Sequence, residues 1–167
     1  MYTIFLLFAL TAGLMMGVHG VINSSGSKAV GLPTMLAFFS LVQAIPAFIF
    51  ILIKQPELGI AGSFVEGWEW FLISGLMGAT AVTVITLSIN KIGALTSFVL
   101  VVLGQIIASA IADHFGFLGI EVKPISLLKI VSILIIIAGV ALLVKANKKA
   151  PTVAEDIPDN KLTRKTS

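Results

Sequence analysis

Long apolar runs separated by short polar segments make up most of this chain. Five runs are long enough to cross a bilayer, and they lie at approximately residues 2–22, 33–53, 68–89, 93–112 and 126–144. A helix needs about 20 residues to span a hydrocarbon core of about 30 Å. Lipid satisfies no backbone hydrogen bond, and the runs lack the alternation of a membrane barrel, so each is predicted to be helical. The sequence predicts an all-α, polytopic bundle of about five transmembrane helices in one domain, residues 1–145.

Polar residues interrupt the fourth run in a regular way. They fall four residues apart with one gap, at Ser97, Gln105, Ser109 and Asp113, and this spacing places them along one stripe of a helix. A neighbouring stripe carries Gly104 and Ala108, the small-xxx-small pattern that allows close helix packing in membranes. We therefore predict that this helix has one face that lines a solute path and another that packs against a second helix.

The first run carries a packing pattern and two further polar candidates. Gly13 and Gly17 form a GxxxG pattern, which is typical of close contacts between membrane helices. His19 and Asn23 lie one turn apart near the end of the run. Polar side chains in a membrane helix tend to face the bundle interior, but at this position they can also reach the membrane interface.

The second and third runs add one candidate each. Gln43 lies close to Pro46, so it either lines a path or satisfies backbone groups freed at the kink expected before a proline. Thr83 belongs to a stripe of hydroxyl side chains on the third run. That stripe either forms a polar cavity wall or bonds its own helix backbone, as threonines commonly do.

Composition and charge define the class of protein. Hydrophobic residues make up 57% of the chain and charged residues 11%, whereas soluble domains contain about 25% charged residues. This indicates a multi-pass membrane protein whose surroundings are the lipid bilayer, and the pI of about 9.3 is no sign of nucleic-acid binding. The basic tail, residues 146–167, is predicted to be disordered. Its Lys and Arg residues predict a cytoplasmic C-terminus, although the nearly balanced loops leave dual topology open.

Catalytic and metal-binding patterns are missing from the sequence. It contains no cysteine, no HExxH, GxSxG or P-loop motif and no grouped metal ligands. We therefore expect no enzyme activity, no catalytic residue, no metal and no cofactor. The polar stripes instead favour a path for a small polar or amphipathic solute. Because transporter folds often combine two repeats, we expect this five-helix chain to be one half that pairs with a second copy or a small homologue.

Several segments together carry a family resemblance. They are Gly104-Gln105, Ser109 and Asp113-His-Phe-Gly-Phe-Leu-Gly119, with further landmarks at Val21-Ile-Asn23, Ala37-Phe-Phe-Ser40 and Ile92-Gly-Ala94. In these segments the chain resembles the YdcZ family, small membrane proteins of the drug/metabolite transporter superfamily. The resemblance covers about residues 2–145. It implies a half-sized relative of ten-helix transporters, located in the bacterial plasma (inner) membrane, that moves a metabolite or drug-like solute as a dimer.

We therefore predict a membrane transporter of the drug/metabolite transporter type. Its candidate path residues are Gln105, Ser109, Asp113, His19, Asn23, Gln43 and Thr83. Gln105 leads this group because it lies nearest the membrane centre and its amide can both donate and accept hydrogen bonds. The alternative is a membrane subunit that transports nothing and stabilises or regulates a partner protein. In that case the GxxxG pattern and the Gly104 stripe are the functional surfaces.

Overall fold

Five long helices form the fold seen in the computed structural model, which describes residues 2–54 and 56–149. In chain order they are α1 (Tyr2–Val30), α2 (Leu32–Ile53), α3 (Gly59–Ile92), α4 (Ala94–Phe115) and α5 (Leu127–Lys149). A single turn of 3-10 helix, Phe117–Gly119, lies between α4 and α5. All five α-helices are long and apolar enough to cross a membrane. The predicted all-α architecture with five spans is therefore confirmed.

Short connections give the bundle two distinct ends. Gly31 separates α1 from α2, and Gly93 separates α3 from α4. Gly93 has a φ of 81°, which glycine adopts without the steric cost that other residues meet, so the chain reverses there within one residue. We call the end where α1, α3 and α5 finish the C-terminal end, and the opposite one the N-terminal end. α1 contacts α2, α3 and α4, and α4 also contacts α5.

Two helices extend further than the apolar runs predicted. The segment from Asn23 to Val30 was expected to be a loop, but α1 continues through it. The expected loop before residue 68 is also wrong in part, since α3 begins at Gly59. Serine and glycine are weak helix formers, so the end of α1 depends on side-chain contacts to other helices. α5 continues to Lys149, so residues 146–149, which were predicted to belong to the disordered tail, are helical. Residues 150–167 lie outside the described part.

Polar side chains, not apolar ones, are the most buried residues of the bundle. The buried polar residues are Asn23, Ser24, Ser27, Thr86, Thr96 and Ser97. All of them lie toward the C-terminal end, where α1, α3 and α4 meet. Among the described residues the buried apolar side chains are only Ile89 and Val140. This is expected for a membrane bundle, since apolar side chains gain little by leaving lipid, whereas polar side chains need partners there.

A hydrogen-bonded cluster joins α1 to α3 at the C-terminal end. The hydroxyl of Ser24 donates to Oδ1 of Asn90 at 2.6 Å, and Nδ2 of Asn90 donates to Oγ of Ser27 at 3.1 Å. Ser27 in turn donates to the backbone carbonyl of Ser24 at 2.8 Å. We call these three residues the serine–asparagine clasp. Nearby, Nδ2 of Asn147 on α5 donates to Oγ1 of Thr96 on α4, so both interhelical contacts lie at the same end.

α1 and α4 lie close together at Gly20. A Cβ atom added there would collide with the ring of Phe98 on α4, so α1 and α4 approach closely at this point. Gly13, Gly17 and Gly104, predicted to pack helices together, have no neighbouring atom within 4 Å of such a Cβ. Their proposed packing role is therefore not fulfilled within one chain, and it stays a prediction for contacts with another molecule.

The segment Asp113–Gly119, which carries part of the family resemblance, forms the end of α4. Gly116 lies in the left-handed region (φ 64°, ψ 37°) and ends the helix, a position where glycine is strongly favoured. The backbone carbonyl of Asp113 accepts a hydrogen bond from the backbone N–H of Lys123 at 2.8 Å. The ring of His114 accepts one from the backbone N–H of Ile125 at 3.4 Å. The backbone and His114 in this motif therefore fold the α4–α5 connection.

We expect Asn90→Ala to lower the free energy of unfolding by about 1–2 kcal/mol. The change removes both side-chain bonds of the serine–asparagine clasp, and interhelical hydrogen bonds in membranes contribute up to about 2 kcal/mol. The measurement is the apparent melting temperature in detergent. Ser88→Ala is the matched control, because the Ser88 hydroxyl bonds only the carbonyl of Val84 in its own helix. Equal melting temperatures for both variants would contradict a stabilising role for the clasp.

Candidate functional site

A small cavity lies between α1, α3 and α4, next to the serine–asparagine clasp. Its volume is about 110 Å³, against the roughly 30 Å³ that one water molecule occupies in the liquid. Its polar side chains come from all three helices: His19, Asn23, Thr86 and Gln105. The remaining lining residues are apolar or glycine. We call this space the central cavity.

The ends of α1 and α3 position two of these side chains deep in the protein. Asn23 and Thr86 are each only 1% exposed. Nδ2 of Asn23 lies 3.2 Å from Nε2 of His19, one turn earlier on α1. The amide nitrogen can only donate, so the contact with His19 occupies a donor of Asn23 and not its acceptor. The Asn23 amide oxygen then remains available on the other side of the group.

Two buried polar atoms of the central cavity lack a partner within the described chain. They are Oδ1 of Asn23 and Oγ1 of Thr86. A buried polar group without a hydrogen bond costs about 1–3 kcal/mol, and such groups are rare in folded proteins. Asn23 offers an acceptor, while the threonine hydroxyl can donate or accept. The cavity can therefore bind a molecule that carries both a hydrogen-bond donor and an acceptor.

His19 and Gln105 connect the central cavity to two grooves on the outside of the bundle. His19 also lines the groove between α1 and α2, where its ring meets Phe39 edge to face at 5.3 Å. Gln105 also lines the groove between α4 and α5. Both side chains are exposed at the protein surface. The central cavity is thus bounded on two sides by polar residues that are accessible from the grooves.

The predicted polar stripe of α4 separates into two groups. Ser97 is buried near the start of α4 and donates to the carbonyl of Gly93 at 2.8 Å. Ser109 and Asp113 line the α4–α5 groove instead. Four residues advance a helix by about 400°, which is about 40° more than one turn, so residues 97 and 113 point about 160° apart. The stripe therefore winds around α4, and only Gln105 belongs to both the central cavity and the groove.

The other two predicted path residues lie away from the central cavity. Gln43 lines the α1–α2 groove together with His19. Thr83 is half-buried, and its hydroxyl donates to the carbonyl of Ala79 in its own helix at 2.7 Å. The structure thus brings His19, Asn23 and Gln105 to one cavity, Gln43 to a neighbouring groove, and Ser109 with Asp113 to another. Whether Gln43, Thr83, Ser109 and Asp113 contact a solute stays a prediction.

Thr86 is the cavity residue that the sequence prediction did not select. It lies about one turn after Thr83 in the same stripe of hydroxyl residues and four residues before Asn90. The nearby polar residues at 90 on α3 and at 96 and 97 on α4 mark the end of the bundle where these helices are tightly packed. The signal was therefore present in the stripe, but choosing Thr86 over Thr83 requires knowing which face of α3 meets α1.

Five helices long and apolar enough to cross a membrane, three of which enclose a polar cavity, define a polytopic helical membrane protein. The chain belongs to the YdcZ family, since residues 4–142 match the family described as "Putative inner membrane exporter, YdcZ". The resemblance seen in the sequence is confirmed by this match. No curated protein and no solved structure gives a match.

The family places the protein in the inner membrane and indicates a membrane transporter. The family description, that of an exporter, favours transport over catalysis. Within the described residues, 2–54 and 56–149, no group of three or more His, Cys, Asp or Glu side chains is arranged to hold a metal ion. The cavity's chemistry is therefore that of amide, hydroxyl and imidazole groups.

We expect Thr86→Val to leave the thermal stability unchanged or to raise the free energy of unfolding by up to about 1 kcal/mol. Valine keeps the volume of threonine and removes a hydroxyl that has no partner, so the cost of burying that hydroxyl disappears. The measurement is the apparent melting temperature in detergent without added solute. Thr80→Val, at an exposed position of the same helix, is the isosteric control. A clear loss of stability in Thr86→Val alone would contradict the assignment of an unpaired hydroxyl.

Proposed function

We propose that this chain exports a small polar or amphipathic solute through the central cavity. The single observation that carries the proposal is the pair of buried, unpartnered polar atoms, Asn23 Oδ1 and Thr86 Oγ1, in a cavity between membrane helices. A protein that only needs stable helix packing gains nothing from such atoms, because each lowers its stability. A solute that bonds to them during transport gives them a use. The family description, that of an exporter, supports export as the direction.

The charge of the cavity favours an uncharged solute or one with a weakly hydrated charge. Its polar lining residues are His19, Asn23, Thr86 and Gln105, none of which carries a permanent charge. An ion in this space would lose its hydration without meeting an opposite charge, which costs several kcal/mol. Hydrogen-bonding groups on the solute can instead pair with the amide and hydroxyl groups. Phe98 and Val101 on α4 supply apolar contacts for the rest of the molecule.

The serine–asparagine clasp supports a model in which the path is closed at the C-terminal end. It joins α1 and α3 directly beside Asn23, through neutral hydrogen bonds that each contribute about 1 kcal/mol net. Bonds of this strength can break and re-form during a transport cycle. Toward the N-terminal end, Gly13 lines the central cavity and has no described atom within 4 Å of a Cβ built there. We propose that this arrangement is the state open toward the N-terminal end.

We further propose that the working unit is a pair of chains. His19, Gln43 and Gln105 lie at membrane depth and are exposed, and polar side chains at that depth normally face protein or water. Gly17 and Gly104, which do not line the central cavity, offer open space for a close approach. A second copy or a small homologue that covers these residues would complete the walls of the path.

We expect Gln105→Leu to abolish transport while leaving membrane insertion intact. Leucine has a similar size, but it cannot exchange hydrogen bonds with a solute at the junction of the central cavity and the α4–α5 groove. The first measurement is the melting temperature of the purified protein against a panel of metabolites, amines and drugs. A ligand at a hundredfold excess over its Kd raises stability by about 2.7 kcal/mol. A ligand response that is equal in the wild type and in Gln105→Leu would remove Gln105 from the path.

The second candidate function is a membrane subunit that stabilises or regulates a partner. The open glycines favour it, since no atom of residues 2–54 or 56–149 lies within 4 Å of a Cβ built at Gly104. In that case Gly104→Leu would impair function more than Gln105→Leu, and no solute in the panel would change the melting temperature. Under the transporter proposal Gln105→Leu is the more damaging change. Measuring efflux for both variants therefore separates the two functions.

We expect a cysteine placed at Gly13 to be labelled from the N-terminal side of the membrane and not from the C-terminal side. The chain has no native cysteine, and a Cβ at Gly13 meets no atom within 4 Å, so Gly13→Cys gives a single reporter in the central cavity. A membrane-impermeant maleimide is added to vesicles whose orientation is determined from a C-terminal tag. Adding Asn90→Ala should allow labelling from the C-terminal side. Labelling from that side in the presence of an intact clasp would contradict the closed state.

A further inference from the structure

A second groove between α4 and α5, which is apolar, lies at the C-terminal end of the bundle. It is separate from the α4–α5 groove that Gln105 lines and from the proposed solute path. Its volume is about 490 Å³. Leu100 and Leu103 line it from α4, and Ile137, Ala141 and Val144 line it from α5. Val140 lies against α4 and is buried. The contact between Asn147 and Thr96 holds the two helices together at the end of the groove.

Two lysines stand where this groove reaches the end of the bundle. Lys145 and Lys148 belong to its lining and lie three residues apart, on the same face of α5. Both side chains are exposed, and among the described residues neither forms an ion pair. Their hydrocarbon stems can follow the apolar groove while the ammonium groups stay in the headgroup region. The groove therefore combines an apolar channel with a positively charged opening.

The two ends of the described chain differ in charge: lysines lie at both ends, but acidic residues lie only at the N-terminal end, where Lys54, Lys123 and Lys129 accompany them. Lys28, Lys91, Lys145 and Lys148 all lie at the C-terminal end, together with no acidic residue of the described ranges. The described acidic residues are at the N-terminal end or in its connections: Glu57, Glu66, Glu69, Asp113 and Glu121. The groove opening is consequently surrounded by positive charge, which attracts the anionic headgroups of a bilayer.

The apolar part of the groove fits within one bilayer leaflet. From Ile137 to Val144 the helix rises about 10 Å, at about 1.5 Å per residue, and half of a hydrocarbon core is about 15 Å. The apolar part lies at acyl-chain depth and the lysines at headgroup depth. A phospholipid placed with its headgroup at the lysines would lay an acyl chain along the groove.

We propose that this groove is a binding site for one anionic phospholipid of the leaflet at the C-terminal end. An acyl chain packs between Leu100, Leu103 and Ala141, and the headgroup phosphate pairs with Lys145 and Lys148. A bound lipid would connect the end of α5 to α4 and stabilise the packing of these two helices. This site is independent of the central cavity, so it does not rely on the transport proposal.

The test measures how the full-length protein in detergent responds to added lipid. Phosphatidylglycerol should raise the melting temperature and remain bound in native mass spectrometry, whereas phosphatidylcholine should do neither at the same concentration. Lys145→Gln combined with Lys148→Gln should weaken phosphatidylglycerol binding at least tenfold. Lys145→Arg with Lys148→Arg should retain it, since the charge is preserved. Ala141→Phe, which fills the groove and leaves both lysines in place, should also weaken binding.

Lys54→Gln combined with Lys123→Gln is the matched control, because it removes the same charge at the N-terminal end and should leave lipid binding unchanged. Equal effects of the two lipids, or equal effects of the two double variants, would overturn the proposal. Loss of binding in the lysine variant but not in Ala141→Phe would also overturn it, since the lysines would then act only as a charged surface. A change in oligomer mass with no retained lipid would assign the groove to a second chain instead.

Discussion

Hydrocarbon offers no hydrogen-bond partner, and this constraint determines where the helices of the protein are held together. Polar side chains of α1, α3 and α4 gather at the C-terminal end, and the serine–asparagine clasp joins two of these helices there. Apolar side chains gain little from leaving lipid, so most of them remain on the outside. The bundle is therefore organised around a small polar region and not around a large hydrophobic core.

At the C-terminal end, this polar region brings together the clasp, the unpartnered atoms of the central cavity and the nearby lysines. Next to the clasp, Asn23 and Thr86 keep one polar atom each without a partner, so structural and solute-facing groups are immediate neighbours. The lysines that surround this end face the headgroup region of the same leaflet. A change in the contact between α1 and α3 would therefore alter the central cavity directly, whereas the groove at α5 lies on the far side of α4.

The number and type of helices could be predicted from the sequence, because a run of about 20 apolar residues has few structural alternatives in a membrane. The ends were less predictable: α1 continues to Val30 because Ser24 and Ser27 find a partner in Asn90, a long-range contact that local propensity does not contain. Long-range contacts also decide that Thr86, and not Thr83, lines the central cavity. Grouping His19, Asn23 and Gln105 was possible from polarity alone, but Ser109 and Asp113 lie elsewhere because the four-residue stripe winds around α4.

The clasp has a consequence for biogenesis. Ser24 and Asn90 are 66 residues apart, so the first helix enters the membrane well before its hydrogen-bond partner has been synthesised. Helices of this kind insert first and associate afterwards. Until α3 arrives, the polar end of α1 must remain at the aqueous boundary or with the insertion machinery. The C-terminal end of the bundle is thus completed only late in synthesis, and α5 joins it last through Asn147.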